Sequence, residues 1–294
     1  MIKLWHSLFL KILIIGGIGV QTAACTPGSF VEPEKLHIEM LDVGQGLAFL
    51  IKGRECSSLY DTGTPRSGID TMLQNRGIKN LCTVIISHWH NDHAGGIPRL
   101  ATMAKNGELQ IGRVFFTKDV LLSGYAAHFR DSSLALLSEA HIAASEITRG
   151  DTLADFLPWT TRVLFPTGDS TLTVNPSSLA IRISDTQNGF LFMGDLYEKQ
   201  EKQILELEPL LSAFALQVGH HGSRTSSSWD FLAQIQPKMA LISAGRNNSY
   251  GHPHQETMAK LRIILQQDTT QIFRTDRDGS VEIEWLYRVG MWRK

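Results

Sequence analysis

The chain reads as an α/β protein in which layered sheets carry helices on their outer faces. Three observations predict this class. Short runs of strand composition alternate with amphipathic helical segments from Leu36 onward, with no second linker between them. Thr83-Val-Ile-Ile86 is β-branched throughout, the composition of a strand buried on both faces. At 294 residues, 43% hydrophobic and 19% charged, the chain can bury a sizeable core and is neither disordered nor a coiled coil.

Residues 1–24 are set apart from the fold as an export segment. Lys3 and Lys11 precede the apolar stretch Ile12–Val20, which is shorter than the ~20 residues of a membrane span. Gln21-Thr-Ala-Ala-Cys25 follows and resembles the lipobox of bacterial lipoproteins, apart from Thr22, where an aliphatic residue is usual. That resemblance implies a lipidated Cys25, attachment to a membrane through it, and a place in the bacterial cell envelope. Ordinary secretion with cleavage near Ala24 is the competing expectation. Residues 25–35 hold turn formers without an apolar period and read as a tether, which puts the folded domain at 36–294.

Within the domain, Leu36–Val43, Leu47–Ile51 and Ser57–Tyr60 read as strands, the last two joined by Lys52-Gly53-Arg54. Gly44-Gln-Gly46 reads as a glycine-rich hairpin and Ile69–Arg76 as a helix that Gly77 ends. After Thr83–Ile86, strands are expected at Val114–Thr117, Arg162–Phe165, Leu179–Ser184, Phe190–Met193, Phe214–Val218, Met239–Ser243, Gln271–Phe273 and Val281–Tyr287. Helices are expected over Ser132–Ala144, Glu198–Leu207, Ser228–Ile235 and His254–Gln267. Asp185-Thr-Gln-Asn-Gly189 supplies the residues of a hairpin turn.

Charge and cysteine content exclude several functions. Lys plus Arg (28) nearly balances Asp plus Glu (29), and loss of Lys3 and Lys11 with the export segment leaves a net charge of −3. No basic field is left to grip a long polyanion. Three cysteines make neither a disulfide scaffold nor a thiolate zinc cage.

The histidines carry the chemistry. His88-Trp-His90-Asn-Asp92-His93 places four metal-capable side chains within six residues, directly after Thr83–Ile86. In an extended segment His88 and His90 point the same way and can share a cation. Asp92 and His93 are adjacent and diverge, which suits a second cation nearby. Gly95-Gly96 allows a sharp exit with backbone close to the ligand. Asp195 stands behind a glycine at the end of Phe190–Met193, placed either as a carboxylate projecting from a sheet edge or as a cap for Glu198–Leu207. His220 and His221 follow Phe214–Val218 and also diverge, so one is a natural ligand and the other faces substrate. His252 is either a proton donor in a stiff turn or a cap for the helix after it. Asp61-Thr-Gly63 has no second matching Asp-Thr/Ser-Gly, which excludes the paired carboxylates of an aspartic protease. A nitrogen-and-oxygen ligand set without thiolate suits Zn or Mn alike.

These segments resemble the metallo-β-lactamase superfamily and, within it, the hydrolase domain of the ComEC competence-protein family standing alone. His-x-His-x-Asp-His carries the first resemblance. The second rests on Leu41-Asp-Val-Gly-Gln-Gly46, Tyr60-Asp-Thr-Gly63, Phe192-Met-Gly-Asp195, Val218-Gly-His-His-Gly-Ser223, Asn248-Ser-Tyr-Gly-His-Pro253 and Arg274-Thr-Asp-Arg-Asp-Gly279. The resemblance implies a four-layered αβ/βα sandwich with its metal site at one edge. It implies two divalent ions, Zn or Mn, on His88, His90, Asp92, His93, Asp195 and His221, with Asp195 bridging and Asp61 fixing the tautomer of a ligand histidine. The activity implied is hydrolysis of a phosphodiester, in nucleic acid or a small molecule, by a metal-bridging hydroxide that Asp92 orients. His220 and His252 then serve the developing charge or the leaving group. A lactonase or β-lactamase would turn the same hydroxide on a carbonyl. A non-catalytic envelope protein that binds DNA or a partner is the reading from outside enzymology. The superfamily's usual third histidine is missing, since residues 173–179 read Thr-Val-Asn-Pro-Ser-Ser-Leu, a departure that ComEC-like domains share and that weakens the first metal site.

Cys56 and Cys82 each lie near the start of a strand in a βαβ unit, at nearly the same level. Neighbouring parallel strands lie ~4.8 Å apart, so a disulfide is within reach, and two buried free thiols are the alternative.

Overall fold

Alternating side chains along the strands sort the interior into three apolar layers. The computed structural model of the protein describes residues 34–117, 124–167, 173–266, 271–287 and 292–293. The export segment, Cys25 and nearly all of the tether lie outside them. Among the described residues, one sheet takes β1 (Lys35–Met40), β2 (Phe49–Lys52), β3 (Ser57–Tyr60), β4 (Asn80–Ile86), β5 (Gln110–Thr117), β6 (Ala143–Ile147), β14 (Val281–Leu286) and β15 (Trp292–Arg293), in the order β15-β14-β1-β2-β3-β4-β5-β6. The other takes β7 (Thr152–Leu153), β8 (Thr160–Phe165), β9 (Ala180–Ser184), β10 (Gly189–Phe192), β11 (Ala215–Gln217), β12 (Met239–Ile242) and β13 (Ile272–Arg274), in the order β13-β12-β11-β10-β9-β8-β7.

The layers follow from the two-residue period of a strand. Ile38, Phe49, Tyr60 and Ile85 from the first sheet meet Ile181, Ile183, Phe190 and Phe192 from the second in a central core. Leu50, Leu59, Val84 and Ile86 face the other way, toward α1 (Ile69–Asn75), α3 (Ile97–Lys105) and α4 (Gly124–Glu139). Leu191, Leu216, Ala240 and Ile242 pack under α5 (Glu198–Leu207), α6 (Trp229–Ile235) and α7 (Gln255–Ile264). The result is the four-layered αβ/βα arrangement. Its first strand starts at Lys35, the last residue read as tether. No helix among the described residues is long and apolar enough to cross a membrane.

Two features correct the sequence reading. Ser132–Ala144 is not one helix: α4 ends at Glu139, and residues 143–147 form β6 on the edge beside β5. His141 takes φ 57°, with its N–H donating to Ser138 O and that of Ile142 to Leu137 O, a Schellman stop built without glycine. The second is the stretch after the histidine cluster, where α2 (Asn91–Ala94) and α3 follow each other almost directly. Gly95 and Gly96 both have helical φ, so they are needed for space and not for a turn. A Cβ on Gly96 would stand 2.7 Å from Thr62 O, and one on Gly95 would stand 2.5 Å from Pro65. Their backbone closes on the loop after β3.

β3 and β4 pair in parallel with Ser58 opposite Thr83. That register puts Cys82 one residue out of step with Cys56 at the start of the pair, and the two form a disulfide with a Cα–Cα distance of 5.8 Å.

Candidate metal centre

The centre lies where strands of both sheets end. β3 leads into Asp61, whose backbone takes φ 59°. The fully buried Asp61 carboxylate accepts from Ser87 N, Ser87 Oγ and His93 Nδ1, each at 2.7 Å. β4 delivers Ser87 and then His88. His88 Nδ1 faces Ser87 Oγ (3.0 Å) and Ser178 Oγ (3.2 Å), while its Nε2 faces His90 Nδ1 at 3.2 Å. One turn of helix, α2, carries Asp92 and the fully buried His93. From the second sheet, β10 leads to Asp195. Gln217 Oε1 accepts from the backbone N–H groups of Met193 and Gly194, and Ser178 Oγ accepts from that of Asp195. β11 leads to His220 and His221, both in left-handed backbone at φ 52° and 54°. Non-glycine residues hold this conformation at a cost of about 1–2 kcal/mol each, an investment typical of functional sites.

The partners of the outer ring nitrogens settle which nitrogen carries the proton. His221 Nδ1 donates to Ser243 O at 2.9 Å, and a carbonyl only accepts. His93 Nδ1 likewise donates to the Asp61 carboxylate. In the neutral imidazoles both Nε2 atoms then present lone pairs inward, and they face each other at 3.2 Å. His93 Nε2 is also 3.2 Å from Asp195 Oδ1, a buried oxygen that makes no hydrogen bond, and His221 Nε2 is 3.4 Å from Asp92 Oδ2. Opposed lone pairs flanked by two carboxylates call for positive charge between them. Two groups fit a metal ion, with one donor atom from each residue within 4.8 Å of the others: His88, His93 and Asp195, and Asp92, His93 and His221.

The electrostatics carry the same demand for positive charge at His93 and His221. Burial alone would raise the Asp92 and Asp195 carboxyls, but His93 and His221 outweigh it and hold both below the usual range. Burial would lower His93 and His221, yet the surrounding carboxylates, Asp195 first among them, raise both. His88 and His90 lack that balance, and burial pushes both down.

The predicted residues do not all sit alike. His88, Asp92, His93, Asp195 and His221 fall in the two groups: Asp92, His93 and His221 stand together, and His93 also stands with His88 and Asp195. His90 stands beside His88 and outside both groups. His220 also stands outside, half-buried, with Nε2 3.7 Å from Asp195 Oδ2 and 3.4 Å from Asn175 Nδ2. His252 lies 5.6 Å from His220 and 6.2 Å from His221 by ring centroids, and burial with its histidine neighbours lowers it to about 4. The capping alternatives fail: Tyr197 is the N-cap of α5, and His254 is that of α7. Ser87, Asn175, Ser178, Gln217 and Ser243 were not singled out from the sequence, because a serine or amide beside a strand end looks like any other. Asp92, Asp195, His220, His221 and His252 line an open cleft of about 550 Å³.

Residues 41–246 match the sequence profile of the Metallo-beta-lactamase superfamily. Over 278 residues the chain is 30% identical to ComE operon protein 3 of Bacillus subtilis, across 86% of this chain and 34% of that protein. It is 33% identical over 241 residues to Recombination protein 2 of Haemophilus influenzae, across 76% of this chain and 26% of that one. The chain thus spans about a third or less of the length of these curated relatives. The metallo-beta-lactamase fold protein YhfI from Bacillus subtilis shares the fold, with a TM-score of 0.56 and 13% identity over 84% of this chain and 99% of that one.

Proposed function

The chain belongs to the metallo-beta-lactamase superfamily, and on that premise we propose that it is a metal-dependent hydrolase of phosphodiester bonds. The opposed Nε2 atoms of His93 and His221, 3.2 Å apart between Asp92 and Asp195, carry the metal part of the reading. His88, His90, Asp92, His93, Asp195 and His221 would hold two divalent ions, Zn or Mn, whose chemistry is to polarise a phosphoryl oxygen and make water a nucleophile near neutral pH. Asp92 stays ionised and orients the attacking water through its carboxylate. His220, whose Nδ1 contacts Thr225 Oγ1 at 3.0 Å, is held where it can meet charge on substrate oxygens. His252 adds a second imidazole facing the same cleft. Two imidazoles beyond the metal groups suit phosphorus better than carbonyl carbon, because a phosphodiester carries two non-bridging oxygens and a departing alkoxide. The relative named for recombination supports the same class.

We place the protein in the cell envelope, exported and anchored through a lipidated Cys25. The Gln21–Cys25 segment supports that reading, and so does the Cys56–Cys82 disulfide, since such bonds persist in oxidising compartments.

Metal analysis of the purified protein, run beside phosphodiester, lactone and β-lactam substrates, tests the function. Two equivalents of metal and chelator-sensitive phosphodiester cleavage are expected. Turnover of a lactone or β-lactam alone would reassign the substrate class, and metal-free protein without turnover would make this a binding protein.

A further inference from the structure

Away from the metal centre, the second sheet carries a cationic cavity of about 460 Å³, bounded by β8, β9 and the segment after α5. It shares no lining residue with the metal-centre cleft. Its wall sets two arginines against each other. β8 and β9 are antiparallel, with Arg162 opposite Arg182 and Thr160 opposite Ser184, and all four residues line the cavity. Like charges directly opposite one another destabilise a sheet. Arg162 pairs with Glu208, whose other oxygen takes Arg149 Nη2 at 2.7 Å, so two guanidiniums already share that carboxylate.

Arg182 has no ion pair among the described residues. Its Nε donates to Ser212 O at 3.2 Å, and both Nη groups lack a partner there. The guanidinium is nevertheless seated. A Cβ on Gly189 would stand 2.6 Å from Arg182 Nε and 2.8 Å from its Cζ. Gly189 opens β10, and a glycine in a strand weakens it and often marks the close approach of another group. Here that group is Arg182. Burial first, and Arg162 next, push Arg182 below the usual arginine range, more than Asp185 and Glu208 return. A merely solvated surface charge would need neither the glycine seat nor a second arginine across the strand pair.

We propose that this cavity binds the phosphoryl group of a phosphate ester, with Arg182 as the residue that grips it. A planar guanidinium fork matches two oxygens of one phosphoryl group. Arg162 adds charge, and the Thr160 and Ser184 hydroxyls are donors for the remaining oxygens. Pro209, Leu210 and Leu211 line the same cavity, and Leu210 is 92% exposed. An exposed leucine alone says little, but beside paired arginines it offers the alkyl part of an ester an apolar wall that bare phosphate leaves unused. A small soluble ester and a lipid headgroup share this chemistry.

The test titrates the full chain calorimetrically with butyl phosphate and with inorganic phosphate, and sediments it with vesicles of phosphatidylcholine alone or mixed equally with phosphatidylglycerol. Butyl phosphate should bind more tightly than inorganic phosphate. Arg182→Gln should weaken it about 10- to 100-fold, the loss of one charge-assisted pair. Leu210→Ser should weaken butyl phosphate and leave inorganic phosphate as it was. Metal content should stay at the unaltered protein's value in both variants, since phosphate held by the metal centre would not respond to either. Where Arg182→Gln does not fold, Arg182→Lys keeps the charge, loses the fork and should also bind butyl phosphate more weakly. A preference for the mixed vesicles that Arg182→Gln abolishes identifies a lipid headgroup as the source; binding of butyl phosphate without that preference identifies a soluble ester. Butyl phosphate binding that both Arg182 variants leave intact overturns the proposal, as does the absence of binding to butyl phosphate and to mixed vesicles alike.

Discussion

Replacing Asp61 by asparagine puts the centre's outer scaffold to a direct test, because three donors converge on a carboxylate that only accepts. Ser87 N meets Oδ1 at 2.7 Å, while Ser87 Oγ and His93 Nδ1 meet Oδ2, both at 2.7 Å. Asparagine keeps one acceptor oxygen and adds an NH₂, and neither orientation of the amide is free of conflict. With the nitrogen in place of Oδ1, two N–H groups oppose each other at Ser87, leaving a buried donor unsatisfied at about 1–3 kcal/mol of stability. With the nitrogen in place of Oδ2, the Ser87 hydroxyl can rotate and accept, but His93 cannot remain protonated on Nδ1. Its proton moves to Nε2, and the lone pair facing Asp195 and His221 is lost. Removing such support typically costs about 10- to 100-fold in metal affinity or activity. We therefore expect Asp61→Asn to fold, and to show either a stability loss of about 1–3 kcal/mol or metal affinity down about 10- to 100-fold. Urea unfolding reads the first and competition with a chromophoric chelator reads the second. If stability and metal affinity both stay at the unaltered protein's values, the tautomer argument is wrong, and the metal reading that rests on it goes too.

The sheet cores and the histidine cluster were legible in the sequence for the same reason: each is a local pattern. A β-branched run such as Thr83–Ile86, or alternation such as Ile181 and Ile183, states its burial within a few residues. His88 to His93 states its chemistry within six. The superfamily resemblance, borne out by the profile match over residues 41–246, brought Asp195, His220, His221 and His252 to the same cleft from far along the chain. What stayed hidden depends on tertiary context. The one-turn helix α2 is too short to show a period, so the approach of His93 to His88 and Asp195 as well as to Asp92 and His221 left no mark in the spacing. β6 is small, polar and exposed along most of its length, and only the edge of β5 makes it a strand. Ser178, Ser243 and Gln217 act through a single hydroxyl, carbonyl or amide, which no spacing marks.

Four further outcomes check particular residues. Asp195→Ala and His221→Ala should lose both metal and turnover, and unchanged metal stoichiometry in the Asp195 variant would refute a bridging role. His220→Ala should keep its metal while turnover falls about 10²–10³-fold; metal lost there but kept in His221→Ala would show the two roles exchanged. The Cys56–Cys82 bridge, with a sequence separation of 26, is worth about 3–4 kcal/mol in the chain-entropy model, so Cys56→Ser with Cys82→Ser should lower urea-unfolding stability by that order. Two reactive thiols in unreduced, denatured mature protein would deny the bridge itself. The last outcome concerns the helix stop at His141. This exposed residue holds φ 57° at the position after α4 where glycine is usual, with the Schellman bonds of His141 and Ile142 intact. The left-handed backbone costs a residue with a Cβ about 1–2 kcal/mol, and glycine gives back part of that through the freer unfolded chain. His141→Gly should therefore stabilise the protein by about 0.5–1 kcal/mol, read as a higher urea midpoint at unchanged slope. A lower midpoint would mean that the His141 side chain contributes contacts worth more than the strain, and that α4 stops for a reason other than this backbone.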